Sequence, residues 1–108
     1  MKWYEPLYIG DKIAKYADRI RKRLESGQTE LDHYIVTFSA SPSDYLDVMN
    51  MRYLTQDTLR KYIPPIVGIA KDKSEAMELV VRITEECVRE TGDADLRDYL
   101  LKKGRILS

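Results

Sequence analysis

The chain reads as a small α/β domain on three observations: two short ribbons that are apolar on both sides, helical periodicity in the segments around them, and glycine or proline at the joins. The expected order is helix, strand, broken helix, strand, long helix, short helix. A right-handed parallel βαβ unit forms the expected core, with an α+β arrangement as the alternative. With 108 residues and 44% hydrophobic content, residues 1–108 fit one domain and leave no room for a second core.

The first helix is expected from Asp11 to Ser26. Ile13, Ala17, Ile20 and Leu24 recur on one side of a 3.6-residue period, and Gly27 follows as a left-handed terminator. The next segment, "LDHYIVTFSA", is rich in β-branched and aromatic residues. Tyr34, Val36 and Phe38 would face one way and His33, Ile35 and Thr37 the other, as in a strand covered on two sides. Between Pro42 and Tyr62 the pattern reads as a helix broken near Asn50: Tyr45, Leu46 and Met49 make one stripe, and Leu54, Leu59 and Tyr62 another.

"IPPIVGIA" reads as the second strand, its prolines tolerated at the entrance because they cannot donate to a ladder and Gly68 marking close approach by another backbone. The long helix that follows has the strongest pattern in the chain. Ala76, Met77, Val80, Ile83, Thr84, Cys87 and Val88 recur on one face, Asp72 to Glu75 spell a cap, and Gly92 ends it. A last helix runs from about Asp95 to Lys102. Two strands joined by so long a connection should be parallel, and a parallel pair alone is thin. Either "WYEPLYI" near the start or a second copy of the chain is therefore expected to widen the sheet, or the helices dominate the core.

Composition excludes several functions. Lys plus Arg and Asp plus Glu both total 18, so the chain lacks the basic excess of a dedicated duplex-binding protein. Glu5, Pro6 and Asp11 interrupt what would have to be the apolar core of a secretion signal, and no run approaches a membrane span; a cytoplasmic location without membrane attachment is expected. One cysteine, Cys87, and one histidine, His33, supply no disulfide, no thiol-rich metal site and no Cys-His pair, and no metal or cofactor is implied. Cys87 lies on the apolar face of its helix beside Glu85 and Glu86, which suits an inert small hydrophobe.

Three surfaces are candidates for function. In the parallel arrangement both strands would end on one rim, where free helix amides favour anions. Ser39, Ser41, Ser43, Lys71 and Lys73 would then converge on a small anionic ligand, although Ser41-Pro42-Ser43-Asp44 and Asp72-Lys73-Ser74-Glu75 are also spelled as ordinary helix caps. The tyrosine-rich lead is the second candidate. With eight tyrosines against one Phe and one Trp, most rings carry a hydroxyl that needs a partner, and Trp3, Tyr4, Leu7 and Tyr8 either cover the helices or pack across a subunit boundary. The third is the first helix, whose Lys12, Lys15, Arg19, Lys22 and Arg23 lie on one flank. Asp11 with Lys15, Asp18 with Lys22 and Arg21 with Glu25 are spaced to offset that charge.

The lead "KWYEPLYIGDK", the centre "GIAKDKSEAMELV" and the tail "ETGDADLRDYL" resemble a group of small bacterial proteins without an assigned activity, over nearly the whole chain. The resemblance implies a self-contained bacterial domain and carries no catalytic or binding residue. No catalytic set is spelled in the chain. The expected function is association, as a homodimeric binding or regulatory module, with anion binding or catalysis at the strand ends next and nucleic acid or an acidic partner on the first helix last.

Overall fold

The computed structural model describes residues 1–28, 32–41 and 45–107. The chain begins with β1 (Trp3–Ile9), passes through a 3-10 segment (Asp11–Tyr16) into α1 (Ala17–Glu25), and continues to β2 (Tyr34–Phe38) and β3 (Leu46–Asn50). A second 3-10 segment (Met51–Thr55) and α2 (Asp57–Tyr62) lead to β4 (Ile66–Ala70), then α3 (Lys73–Thr91), α4 (Leu96–Lys103) and β5 (Arg105–Leu107). The described strands form one mixed five-stranded sheet in the order β3-β2-β4-β1-β5. The α/β class stands, and among the described residues no helix is long and apolar enough to cross a membrane.

Each face of the sheet carries its own helical layer. Ile13, Ala17, Ile20 and Leu24 bury the apolar stripe of the first helix against Trp3, Ile35, Ile66 and Ile69, joined by Met51 and Leu54. On the other face Ala76, Leu79, Ile83 and Cys87 of α3, with Leu96, Tyr99 and Leu100 of α4, pack on Tyr4, Tyr8, Val36, Phe38 and Val67. Burial on both faces is why β2 and β4 read as continuous apolar ribbons. A fully buried side chain such as Ile83 or Leu100 contributes about 1.5–3 kcal/mol relative to exposure.

The helix ends follow the sequence signals. Gly27 and Gly92 adopt positive φ, Asp72 caps α3 by accepting from the Glu75 N–H at 2.8 Å, and Asp95 caps α4 by accepting from the Asp98 N–H at 3.1 Å. Gly68 sits where β1 comes closest, since a Cβ there would lie 3.0 Å from the Tyr8 carbonyl oxygen. The N-terminal segment does widen the sheet: β1 runs parallel to β4.

Two expectations are corrected. The ribbons around His33 to Phe38 and Ile66 to Ala70 are adjacent but antiparallel, with Tyr34 opposite Ala70 and Thr37 opposite Ile66. The reason lies in the second correction. Residues 46 to 50 do not continue a broken helix; they form β3, the return strand of a hairpin with β2, with Phe38 opposite Leu46 and Tyr34 opposite Asn50. One added strand reverses the chain once more before β4, so the direction of β4 relative to β2 inverts. The parallel pair in this fold is β1 with β4.

Candidate functional site

The antiparallel register decides the fate of the expected anion rim. The C-terminal end of β2 carries Ser39 and Ser41, and the C-terminal end of β4 carries Lys71 and Lys73, so the two groups lie at opposite ends of the sheet. Ser39 is buried; its hydroxyl accepts from the Ser41 N–H at 3.0 Å and its carbonyl accepts from Arg97 at 2.9 Å. Ser43, with Pro42 and Asp44, lies outside the described residues, and β3 rather than a capped helix follows them. His33 meets Lys71 instead, its Nδ1 lying 3.1 Å from the Lys71 carbonyl oxygen.

A true strand-end rim exists beside the parallel pair β1 and β4, and it is already filled. Glu75, 4% exposed, reaches back from the first turn of α3 and places its carboxylate between two backbone amides. Oε2 accepts from the Lys12 N–H at 3.0 Å and Oε1 from the Lys71 N–H at 2.8 Å. Gly10 is required for this, since a Cβ at position 10 would overlap that carboxylate. Free amides at such a rim favour negative charge, and here the chain supplies the charge itself. Asp72 adds an ion pair to Lys12 at 3.8 Å.

A second polar cluster ties β1 to α3 and α4. The Tyr8 hydroxyl donates to Glu86 Oε2 at 2.6 Å, and the Lys103 ammonium donates to the same oxygen at 3.2 Å and to the Tyr99 hydroxyl at 3.1 Å. Tyr4 stacks on Tyr8 with ring centroids 6.4 Å apart, and Arg82 lies over the Tyr8 ring. Burial pushes the Tyr8 phenol well above its ordinary value, and its bond to the Glu86 carboxylate pushes it further. The Glu86 carboxyl is pushed up by burial, but the Tyr8 hydroxyl and Lys103 ammonium outweigh that and hold it below its ordinary value. For Lys103, the Tyr99 hydroxyl is the largest influence and raises the ammonium; burial opposes it, and Glu86 and Tyr8 raise it further.

Every one of these shifts keeps the tyrosines neutral, Glu86 ionised and Lys103 protonated. Catalysis needs a group poised to give or take a proton near neutral pH, and this cluster is held away from that state. It is a clamp, one carboxylate of α3 shared by donors from β1 and α4. Sequence reasoning anticipated that tyrosine hydroxyls would need partners, but nothing local pointed to Glu86 or Lys103. The lead residues proposed as an association surface are core: Trp3, Tyr4 and Tyr8 are buried, and Leu7 is half-buried against the α1 layer.

The opposite side of the molecule is different. β3 is an edge strand and all five of its residues are only half-buried. A cleft of about 850 Å³ runs along it from Pro64 to Lys73, with Val48, Asn50, Tyr53, Leu59 and Tyr62 among its lining residues. Tyr53 is 51% exposed, Tyr62 79%, and α2 contains no buried residue. Glu75, Arg82 and Glu86 leave α3 toward β1; at 100° per residue Met77, Val81 and Val88 lie on the other flank, toward β3, and all three are exposed. Among the described residues no group of His, Cys, Asp and Glu side chains is arranged to hold a metal ion.

The first helix keeps more free charge than its spacing implies. Of the three expected pairs only Arg21 with Glu25 closes, at 3.6 Å, and Arg21 also pairs with Glu5. Lys15, Arg19 and Lys22 are exposed and form no ion pair among the described residues, although Arg19 lies over the Tyr16 ring. No protein-family model, curated protein or solved structure matches this chain, so its function has to be argued from these surfaces alone.

Proposed function

We propose that this chain is a cytoplasmic association module that works as a homodimer through its β3 side and performs no catalysis of its own. One observation carries the reading: the edge strand β3 is bordered by a cleft with exposed Tyr53, Leu59 and Tyr62, while Met77, Val81 and Val88 are exposed on the flank of α3 opposite Glu75 and Glu86. Scattered exposed apolar residues need no explanation, but a cleft with exposed tyrosine and leucine side chains along an open strand edge supports an interaction surface. The polar clusters support the same reading, because their groups are spent on internal bonds. The regulatory role is an expectation of this reading rather than a feature of any one residue.

Sedimentation of the full chain across micromolar concentrations tests it. A concentration-dependent dimer, weakened by Tyr53→Ser combined with Tyr62→Ser, is the expected result. A monomer at every concentration overturns it.

A second reading is favoured by Lys15, Arg19 and Lys22, which form no ion pair among the described residues and present a basic stripe to nucleic acid or an acidic protein surface. Binding of a labelled oligonucleotide that falls steeply with salt, and is lost on reversing those three charges, would support it. Binding indifferent to both would remove it. Lys71 and Lys73 no longer support an anion site with Ser39 and Ser41, since the sheet separates them and Glu75 fills the rim beside them.

A further inference from the structure

Resting on the reading that the β3 side is where the chain associates, we propose that its partner strand is β3 of a second copy, antiparallel across a two-fold axis at Val48. In an antiparallel ladder the N–H and C=O of one residue point to the same side and successive residues alternate. The Tyr45 carbonyl accepts from the Ser39 N–H at 3.1 Å and the Met51 N–H donates to the His33 carbonyl at 2.9 Å, so the odd-numbered residues of β3 bond to β2. Leu46 and Val48 therefore turn both backbone groups outward. Asn50 turns its N–H outward, while its carbonyl begins the following 3-10 segment.

That pattern is complementary to itself. With Val48 on the axis, Val48 of each copy exchanges both bonds with Val48 of the other, and each Asn50 N–H meets the Leu46 carbonyl of the second copy. Such isologous contacts are the usual basis of two-fold dimers. The strand carries no lysine, no proline and no bulge, the devices that keep edge strands apart. Its one charge, Asp47, falls opposite Met49 of the second copy and not opposite itself. The other sheet edge, β5, is three residues long and begins with Arg105, which disfavours it as the partner edge.

The helices do not obstruct this pairing. α3 packs over β4, β2 and β3, so it sits about one and a half strand spacings from the axis and the two copies of α3 lie about 14 Å apart. Helices with side chains are about 10–12 Å wide. That leaves about 2–4 Å between the two helices, beside the exposed Met77, Val81 and Val88. The result is one continuous sheet shared by both copies.

Four variants of the full chain test this by light scattering and mild oxidation. Val48→Pro removes an outward N–H and no bond to β2, so it is expected to give a folded monomer by circular dichroism. Val81→Glu, a change at a residue already 54% exposed, is expected to weaken dimerisation roughly tenfold or more. Val48→Cys is expected to cross-link to its own copy, whereas Asp47→Cys, offset by two residues from its copy, is not. A wild-type dimer that persists in Val48→Pro and Val81→Glu, with no cross-link from Val48→Cys, overturns β3 pairing and leaves association standing. A wild-type monomer overturns both, and pairing with an extended segment of another protein then takes its place.

Discussion

The two flanks of α3 make opposite use of one helix. Toward β1, Glu75 and Glu86 end on backbone amides, tyrosine hydroxyls and Lys103, and each charge has an internal partner. On the opposite flank Met77, Val81 and Val88 are about half exposed, and β3 is an edge of the sheet among the described strands. The difference teaches where to look for function in a chain without a catalytic set. A buried carboxylate that is fully bonded holds the fold together, whereas apolar surface left uncovered is free for a partner.

The contrast breaks most severely at Gly10. Gly10→Ala should force the Glu75 carboxylate away and leave the Lys12 and Lys71 amides unsatisfied, at a cost of about 2–3 kcal/mol by denaturant unfolding; an unchanged midpoint would show that the carboxylate is not needed there. Glu86→Ala, which strands the Tyr8 hydroxyl and Lys103, should cost about 1–2 kcal/mol. Tyr8→Phe should cost less than Glu86→Ala, because it removes the donor and leaves Glu86 with Lys103.

The pH dependence sharpens the same flank. Because Glu86 is held below its ordinary value of 4.5, its stabilisation is complete above that value and is lost as pH falls through the lower folded value. Glu86→Gln should therefore show a shallower loss of stability in acid than the wild type, and parallel curves would discount the clamp. Lys103 acts at the other extreme: its contribution is complete below 10.5 and lost as pH rises through the higher folded value. On the β3 flank the expected effect on the isolated fold is smallest. Tyr62→Ser and Val81→Glu should change unfolding of the monomer by no more than about 0.5 kcal/mol, since neither residue is buried. A larger loss would mean that this surface stabilises the fold itself.

The stretch from Tyr45 to Asn50 shows how the sequence misled. Tyr45, Leu46 and Met49 match a helical stripe, but Leu46, Val48 and Asn50 match strand alternation equally well, and the run is too short for periodicity to choose. A turn-rich "SASPSD" between two such runs was the available signal for a hairpin. Trp3, Tyr4 and Tyr8 show a different limit. Their aromatic character was legible, but whether they face a partner or their own core depends on β1 lying between β4 and β5. Glu86 and Lys103 stand 78 and 95 positions from Tyr8, beyond any local pattern.

By itself the sequence determined what is local. The apolar stripe of the first helix, the Ala76, Ile83 and Cys87 part of the α3 stripe, the cap at Asp72, the terminators at Gly27 and Gly92 and the two buried ribbons all follow from residues within a turn or two of one another, whereas Met77 and Val88, expected on that α3 face, are exposed. Only the tertiary structure decided the direction of β4 against β2, the filling of the strand-end rim by Glu75 and the edge position of β3. Strand direction depends on how many times the chain crosses the sheet, and no short stretch of residues records that number.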